Sequence, residues 1–217
     1  MWRVQQILAT KRKKYLLLLA GSPGTGKTYL LNLIRERFSD MYVVTPDEAK
    51  VYYAEEIGFD NLTQRAEQEK NKVWPFYYKA LDLYMEAGKK LVVSEYPFSS
   101  KQKDKLLDLA QKYQYEIITI RLVADFEVLW QRRYQRDRES DRHLSFVMDH
   151  YHYGDTCNDV SKASNHITKE EFHQIVSQRK YDKFQLGELI EFDVSDYSNV
   201  DYKPTLDYLE DKIKYDK

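Results

Sequence analysis

Early in the chain, Gly21-Ser22-Pro23-Gly24-Thr25-Gly26-Lys27-Thr28 follows the pattern GxxxxGK[ST]. Glycines at these spacings let backbone N–H groups turn inward around a polyphosphate. A helix beginning after Gly26 adds the partial positive charge of its N-terminus. Lys27 has the reach to meet the β- and γ-phosphates, and the Thr28 hydroxyl can ligate Mg²⁺. The whole stretch Gly21 to Thr28 is therefore read as a phosphate cradle, with Lys27 also catalytic and Thr28 also a metal ligand. The bland alternative is a glycine-rich turn that matches by chance. Against it stands the context: a buried-looking apolar run, Tyr15 to Ala20, precedes the motif, and an amphipathic stretch follows it.

Two carboxylates and an arginine cluster extend the chemistry. Asp47 follows a short apolar run, Met41 to Val44, and Glu95 follows another, Leu91 to Val93. Carboxylates at the ends of parallel strands face the crevice where ligands bind in open α/β sheets. Asp47 can act there as the general base for an acceptor hydroxyl, and Glu95 can hold Mg²⁺. The alternatives are a helix cap for Asp47, since Pro46-Asp47-Glu48 also looks like a helix start, and a plain sheet-edge residue for Glu95. Five of the 12 arginines fall between 132 and 142, among only three acids, Asp137, Glu139 and Asp141. Arg132 and Arg136 are four apart and share a helical face. Guanidinium groups match phosphate oxygens in geometry, so the cluster reads as an Arg-rich lid, with Arg132 and Arg136 catalytic and Arg132 also touching nucleotide. Arg138, Arg142 and His143 are secondary candidates. A solvated, salt-bridged helix face is the competing explanation.

These groups need a scaffold, and the apolar pattern supplies one. Residues 15–20, 41–44, 91–93, 117–123 and 189–194 are continuous rather than alternating apolar runs, as expected of strands covered on both faces in a parallel sheet. Helical patterns lie at 27–38, 62–87, 100–112, 126–138 and 169–184, with a last one starting at Pro204. Gly88 suits a helix C-terminus; Ser99 with Gln102, and Thr168 with Glu171, suit capping boxes; Asp125 suits an N-cap. Strands alternating with helices give an α/β, three-layer α/β/α fold. No linker-like composition interrupts it, so one domain is expected over 1–217, with a core at 15–213, an acceptor-side helical region at about 47–88 and a lid at about 130–165.

Composition narrows the function. Lys+Arg total 34 and Asp+Glu 35, a net charge of −1 that argues against a dedicated nucleic-acid binder. One cysteine, Cys157, excludes a disulfide framework and CxxC metal sites. The five histidines form no convincing metal set. No apolar run nears the roughly 18 residues that span a bilayer. The basic residues Arg3, Lys11, Arg12, Lys13 and Lys14 lead into too short an apolar run for a signal peptide, so a cytoplasmic protein is expected. The guanine-reading [NT]KxD and the DxxG switch of signalling GTPases are missing, and Ser94 stands where an AAA+ motor carries aspartate.

The phosphate loop, Thr45-Pro46-Asp47-Glu48 after the second strand and Leu129-Trp130-Gln131-Arg132-Arg133-Tyr134-Gln135-Arg136 together resemble the small P-loop kinases of the polynucleotide-kinase and zeta-toxin-like group. The resemblance spans roughly residues 15–213. Lys50 stands three residues after Asp47, where that group often has Arg or Lys, and Ser94-Glu95 replaces an aspartate many members carry. The resemblance implies a P-loop NTPase fold with a mainly parallel five-stranded sheet, an LxxRxxxR lid helix, and ATP with Mg²⁺ as nucleotide and metal. It implies γ-phosphoryl transfer to a hydroxyl of a small-molecule or nucleotide-like acceptor. In such kinases Trp74, Phe76, Tyr77 and Tyr78 would fall near the acceptor. The alternatives are a nucleotide-dependent ATPase or switch acting on a protein partner, and a nucleic-acid 5′-end kinase.

Overall fold

The computed structural model describes residues 13–214. Arg3, Lys11 and Arg12, with both extremes of the expected 1–217 domain, lie outside the described residues. The strands are β1 (Lys14–Gly21), β2 (Tyr42–Val43), β3 (Leu91–Glu95), β4 (Tyr115–Val123) and β5 (Glu188–Asp193). They form one sheet in the order β2-β3-β1-β4-β5, and every pairing between them is parallel. The helices are α1 (Lys27–Arg37), α2 (Pro46–Ile57), α3 (Leu62–Gln68), α4 (Trp74–Glu86), α5 (Ser100–Tyr113), α6 (Phe126–Arg136), α7 (Lys169–Arg179) and α8 (Lys203–Lys214).

Both faces of the central strand are apolar because each meets a helical layer. Tyr15, Leu17 and Leu19 pack with Leu30 and Ile34 of α1 and with Leu206 and Leu209 of α8. Leu16, Leu18 and Ala20 point the other way, onto Tyr77 and Leu81 of α4 and Leu106 of α5. This is the period-2 alternation of a strand with core on both sides. With β3 on one side of β1 and β4 on the other, the chain reverses direction across the sheet at β1. The crevice above the C-terminal end of β1 is thus the topological switch point where α/β folds bind ligands.

The expected helix over 62–87 is interrupted. A π-helical turn, Glu69–Val73, separates α3 from α4, and the Trp74 N–H donates to the Glu69 carbonyl. The cause is Pro75, which has no N–H for the carbonyl four residues back and crowds it with its ring. The pattern over 169–184 also ends early: Lys180 takes φ 50° after α7, and a 3-10 turn covers Tyr181–Lys183. Helix α2 has little apolar spacing to announce it, burying only Pro46, Ala49 and Ala54. Both capping boxes form, at Ser99–Gln102 and Thr168–Glu171. Asp125 occupies the N-cap of α6 without a side-chain capping bond; its N–H donates to Ser195 Oγ at 2.9 Å. No helix among the described residues is long and apolar enough to cross a membrane.

Candidate active site

The loop from β1 to α1 takes its shape from two glycines. Gly26 holds φ 78° at the N-cap of α1, and a Cβ there would sit 2.6 Å from the Tyr197 hydroxyl. Gly24 holds φ 93°, and its Cβ would come within 3.0 Å of the Leu129 carbonyl. The loop is wedged between α6 and the turn after β5, so neither position has room for a side chain. Thr25 is fully buried and its hydroxyl donates to the Ser22 carbonyl at 2.9 Å, which tightens the loop.

Above the loop lies a cavity of 380 Å³. Gly24, Gly26, Lys27 and Thr28 line it with Glu95 of β3, with Arg132, Gln135 and Arg136 of α6, and with Glu139 and Tyr197. Lys27 donates to the Ser22 carbonyl at 3.1 Å. Burial pulls its pKa down to about 8, against the upward pull of Glu95 and Asp47 and with a further push from Arg136. An ammonium this poorly compensated favours an incoming anion. The Thr28 hydroxyl donates to Glu95 Oε1 at 2.9 Å. Burial raises the pKa of Glu95, opposed by Lys27 and the Thr28 bond, with Asp47 and Glu48 adding to the rise. A hydroxyl and one carboxylate side by side, facing a cavity sized for phosphates, are the few protein oxygens that Mg²⁺ uses when substrate and water supply the rest.

Asp47 sits in the first turn of α2, outside the cavity lining, but close enough for its charge to act on both Lys27 and Glu95. It does not cap the helix: Thr45 is the N-cap, accepting from the Glu48 N–H at 3.2 Å. Lys50 Nζ lies 3.3 Å from Asp47 Oδ1 and 3.7 Å from Glu69, and donates to the Tyr96 hydroxyl at 3.1 Å. Burial would lower the Lys50 pKa, yet Asp47, Tyr96 and Glu69 together outweigh it and raise it.

In the arginine cluster, Arg132 donates to the carbonyls of Val194 at 2.8 Å and Ser195 at 3.1 Å, and stacks on Tyr197 at 3.8 Å. Arg136 lines the cavity. Arg133, Arg136 and Arg142 all reach the buried carboxylate of Asp137. Arg138 turns to the surface, bonding the Tyr134 carbonyl and covering its ring. His143 engages Ser145 at 2.8 Å and Glu55 at 3.4 Å.

The family model for zeta toxin matches residues 2–181. The chain belongs to the zeta toxin family. No curated protein matches the chain in sequence. Among solved structures, a candidate kinase from Chloroflexus aurantiacus J-10-fl is 18% identical, with a TM-score of 0.70 over 92% of this chain and 98% of that one. A gluconokinase from Sinorhizobium meliloti 1021 is 13% identical, with a TM-score of 0.54 over 94% and 98%. The tunicamycin resistance protein of Deinococcus radiodurans is 14% identical, with a TM-score of 0.50 over 93% and 96%. At such identities the likeness is one of fold, the three-layer P-loop architecture.

In this zeta toxin family protein the sequence-predicted residues divide into two groups. Gly24, Gly26, Lys27, Thr28, Glu95, Arg132 and Arg136 share the cavity. Gly21, Ser22, Pro23 and Thr25 shape the loop from outside its lining. Of the aromatic stretch, Tyr77 is core and bonds Ser94 Oγ at 2.8 Å. Ser94 in turn donates to the Val44 carbonyl, tying β3 to the start of the α2 segment. Trp74 and Tyr78 line a 1030 Å³ groove between α4 and α5, and Phe76 stays half-exposed beside Tyr52 and Tyr53. Sequence reasoning missed Tyr197, which carries no motif and reaches the loop only through the turn after β5. It also gave no role to Asp137, whose signal was present: one of only three acids among five arginines.

Proposed function

We propose that this zeta toxin family protein is an ATP-dependent kinase that transfers the γ-phosphoryl group to a hydroxyl of a small-molecule or nucleotide-like acceptor. The observation that carries the reading is the convergence of Lys27, Thr28, Glu95 and Arg136 on one cavity at the switch point, with Asp47 within electrostatic reach. The loop N–H groups and the α1 N-terminus hold the polyphosphate. Lys27 and Arg136 offset the charge spread over the transferred group, and Arg132 with Tyr197 closes the nucleotide side. Thr28 and Glu95 would hold Mg²⁺, which would supply further charge neutralisation to the phosphates. Asp47 takes the acceptor hydroxyl proton as the oxygen attacks in line. Lys50 keeps Asp47 oriented, and the Trp74 and Tyr78 shelf lies on the acceptor side.

In this reading the chain works as one domain, with about 47–88 facing the acceptor and about 130–165 carrying the arginines over the nucleotide. The protein in this reading works in the cytoplasm, where ATP is at hand. The test is an acceptor panel incubated with γ-labelled ATP and Mg²⁺, for the parent and Lys27→Met. Label should pass to an organic acceptor in the parent alone. ATP hydrolysis at one rate with and without every acceptor would favour a nucleotide-dependent ATPase or switch instead.

A further inference from the structure

Asp137 follows α6 and is only 5% exposed. Arg133 Nε lies 3.1 Å from its carboxylate, Arg136 Nη2 3.3 Å and Arg142 Nε 3.1 Å. One buried carboxylate thus serves three guanidiniums, and the other acids in reach are Glu139, which lines the same cavity as Arg136, and Asp47, whose charge acts on Arg142. The crowding is visible in the arginines themselves: burial, then repulsion from Arg136, pulls Arg142 down to about 10. Burial lowers Arg133 as well, against Asp137 and with Arg136 adding to the fall. Arg136 Nε is buried without a hydrogen-bond acceptor, and Arg142 Nε, though within ion-pair distance of Asp137, is not aligned to donate to it, so neither guanidinium is saturated.

The three cations differ in where they face. Arg133 turns away from the nucleotide cavity and covers the Phe172 ring at 4.8 Å. Arg136 lines the cavity, near enough to Lys27 to push its pKa down. Arg142 feels the carboxylate of Asp47 and lies over Phe146 at 4.3 Å. A single buried carboxylate thus ties an arginine on the phosphate-loop side to one on the Asp47 side. The transferred group would move between those two sides.

We propose that Asp137 is a positioning residue for phosphoryl transfer, holding Arg136 and Arg142 as a preformed clamp whose charge stays available to the moving group. The proposal rests on the kinase reading above. Charges fixed before reaction stabilise a transition state without reorganising during it, which is the advantage of anchoring two long side chains on one buried group. A merely structural Asp137 would hold the fold together and leave the clamp's function untouched.

The probe is Mg-ADP with and without aluminium fluoride, a mimic of the transferred phosphoryl group, followed by calorimetry. Neither ligand requires knowledge of the acceptor. In the parent, fluoride should tighten ADP binding about tenfold or more. Asp137→Asn should bind ADP alone within about threefold of the parent and lose most of the fluoride gain. In an Arg136→Lys background the same substitution should add little, because both changes remove one device. Should Asp137→Asn fail to fold by circular dichroism, Asp137→Asn with Arg133→Met removes an anion and a cation together, using the one arginine that faces away. That variant should fold and still lack the fluoride gain. A folded variant that keeps the parent's gain, additive losses with Arg136→Lys, or failure of both variants to fold would each overturn the proposal. A parent that binds no ADP, or gains nothing from fluoride, would overturn the kinase reading itself and the proposal with it.

Discussion

Thr28 Oγ1 and Glu95 Oε1 stand 2.9 Å apart, a hydrogen bond that joins the first turn of α1 to the last residue of β3. It fixes the spacing between the hydroxyl that the phosphate loop offers a metal and the carboxylate at the end of β3 that lines the same cavity.

Glu95→Gln should therefore change metal dependence before anything else. The amide oxygen still accepts from Thr28, so packing and loop geometry persist. The charge is lost, and with it the attraction for Mg²⁺. The Mg²⁺ concentration for half-maximal transfer should rise about tenfold, since roughly 1.4 kcal/mol of attraction corresponds to that factor. ATP without metal should bind more tightly, because a carboxylate no longer opposes the phosphates. A Mg²⁺ titration of turnover checks the first expectation and ATP calorimetry in EDTA the second. An unchanged titration would leave Glu95 as a sheet-edge residue.

Lys27→Met should abolish transfer and at the same time stabilise the nucleotide-free protein at pH 7. The Lys27 pKa is lowered from 10.5 to about 8 in the fold. Between those values the unfolded chain binds the proton that the folded chain has lost, so stability rises with pH there. Below about 8 the folded state carries the full cost of the buried ammonium, about 3 kcal/mol. Losing the bond to the Ser22 carbonyl offsets about 1 kcal/mol of the relief. The variant's net advantage in urea unfolding, about 1–2 kcal/mol at pH 7 by this reckoning, should shrink by pH 9.5. An advantage independent of pH would mean that Lys27 is not the strained group.

Gly26→Ala should cost both stability and nucleotide affinity, and the loss should divide into two parts. The φ of 78° penalises any side chain by about 1 kcal/mol. The remainder comes from the Tyr197 hydroxyl, 2.6 Å from the new Cβ, whereas the ring carbon behind it is 3.2 Å away. Tyr197→Phe in the Gly26→Ala background should restore the second part and not the first. Thermal unfolding of the four proteins in this cycle measures both. No recovery at all would mean that the loop moves aside instead of meeting the ring.

The fold was legible wherever the apolar pattern was dense. Tyr15 to Leu19 read as a strand buried on both faces, and they are. The interruption at Glu69–Val73 was not legible from periodicity, although Pro75 marked it, because a π turn keeps the apolar residues in approximate phase. The loop residues Gly24 to Thr28 were legible because their chemistry demands contiguous sequence. Tyr197 was not, since its contact with Gly26 spans most of the chain and depends on the parallel crossover that brings β5 beside β4. Asp47 reads in the sequence as a carboxylate at a strand end, but it lies in the first turn of α2, and the cap there is Thr45, one residue before Pro46. Proline suits the first helical position, where its missing N–H costs no intrahelical bond, so the residue before it is the cap, and Thr45 accepts from the Glu48 N–H, two residues beyond the proline.

That assignment sharpens the test of Asp47. Asp47→Asn keeps the size of the side chain and leaves the Thr45 cap in place, so α2 should start as before. The side chain is 55% exposed and its partner Lys50 keeps Glu69 and Tyr96, so the fold should lose little. What the amide cannot do is accept a proton from an acceptor hydroxyl at neutral pH. With an acceptor found by the panel, and at saturating concentration, turnover should fall by about 10²–10⁴-fold. The dissociation constant for Mg-ATP should move little, because Asp47 stands outside the cavity lining. Measuring turnover and binding on the same sample separates a chemical defect from a binding one. Parent-like turnover in Asp47→Asn would remove Asp47 as the base, and Glu95, the remaining carboxylate that feels Lys27, would be the next to substitute.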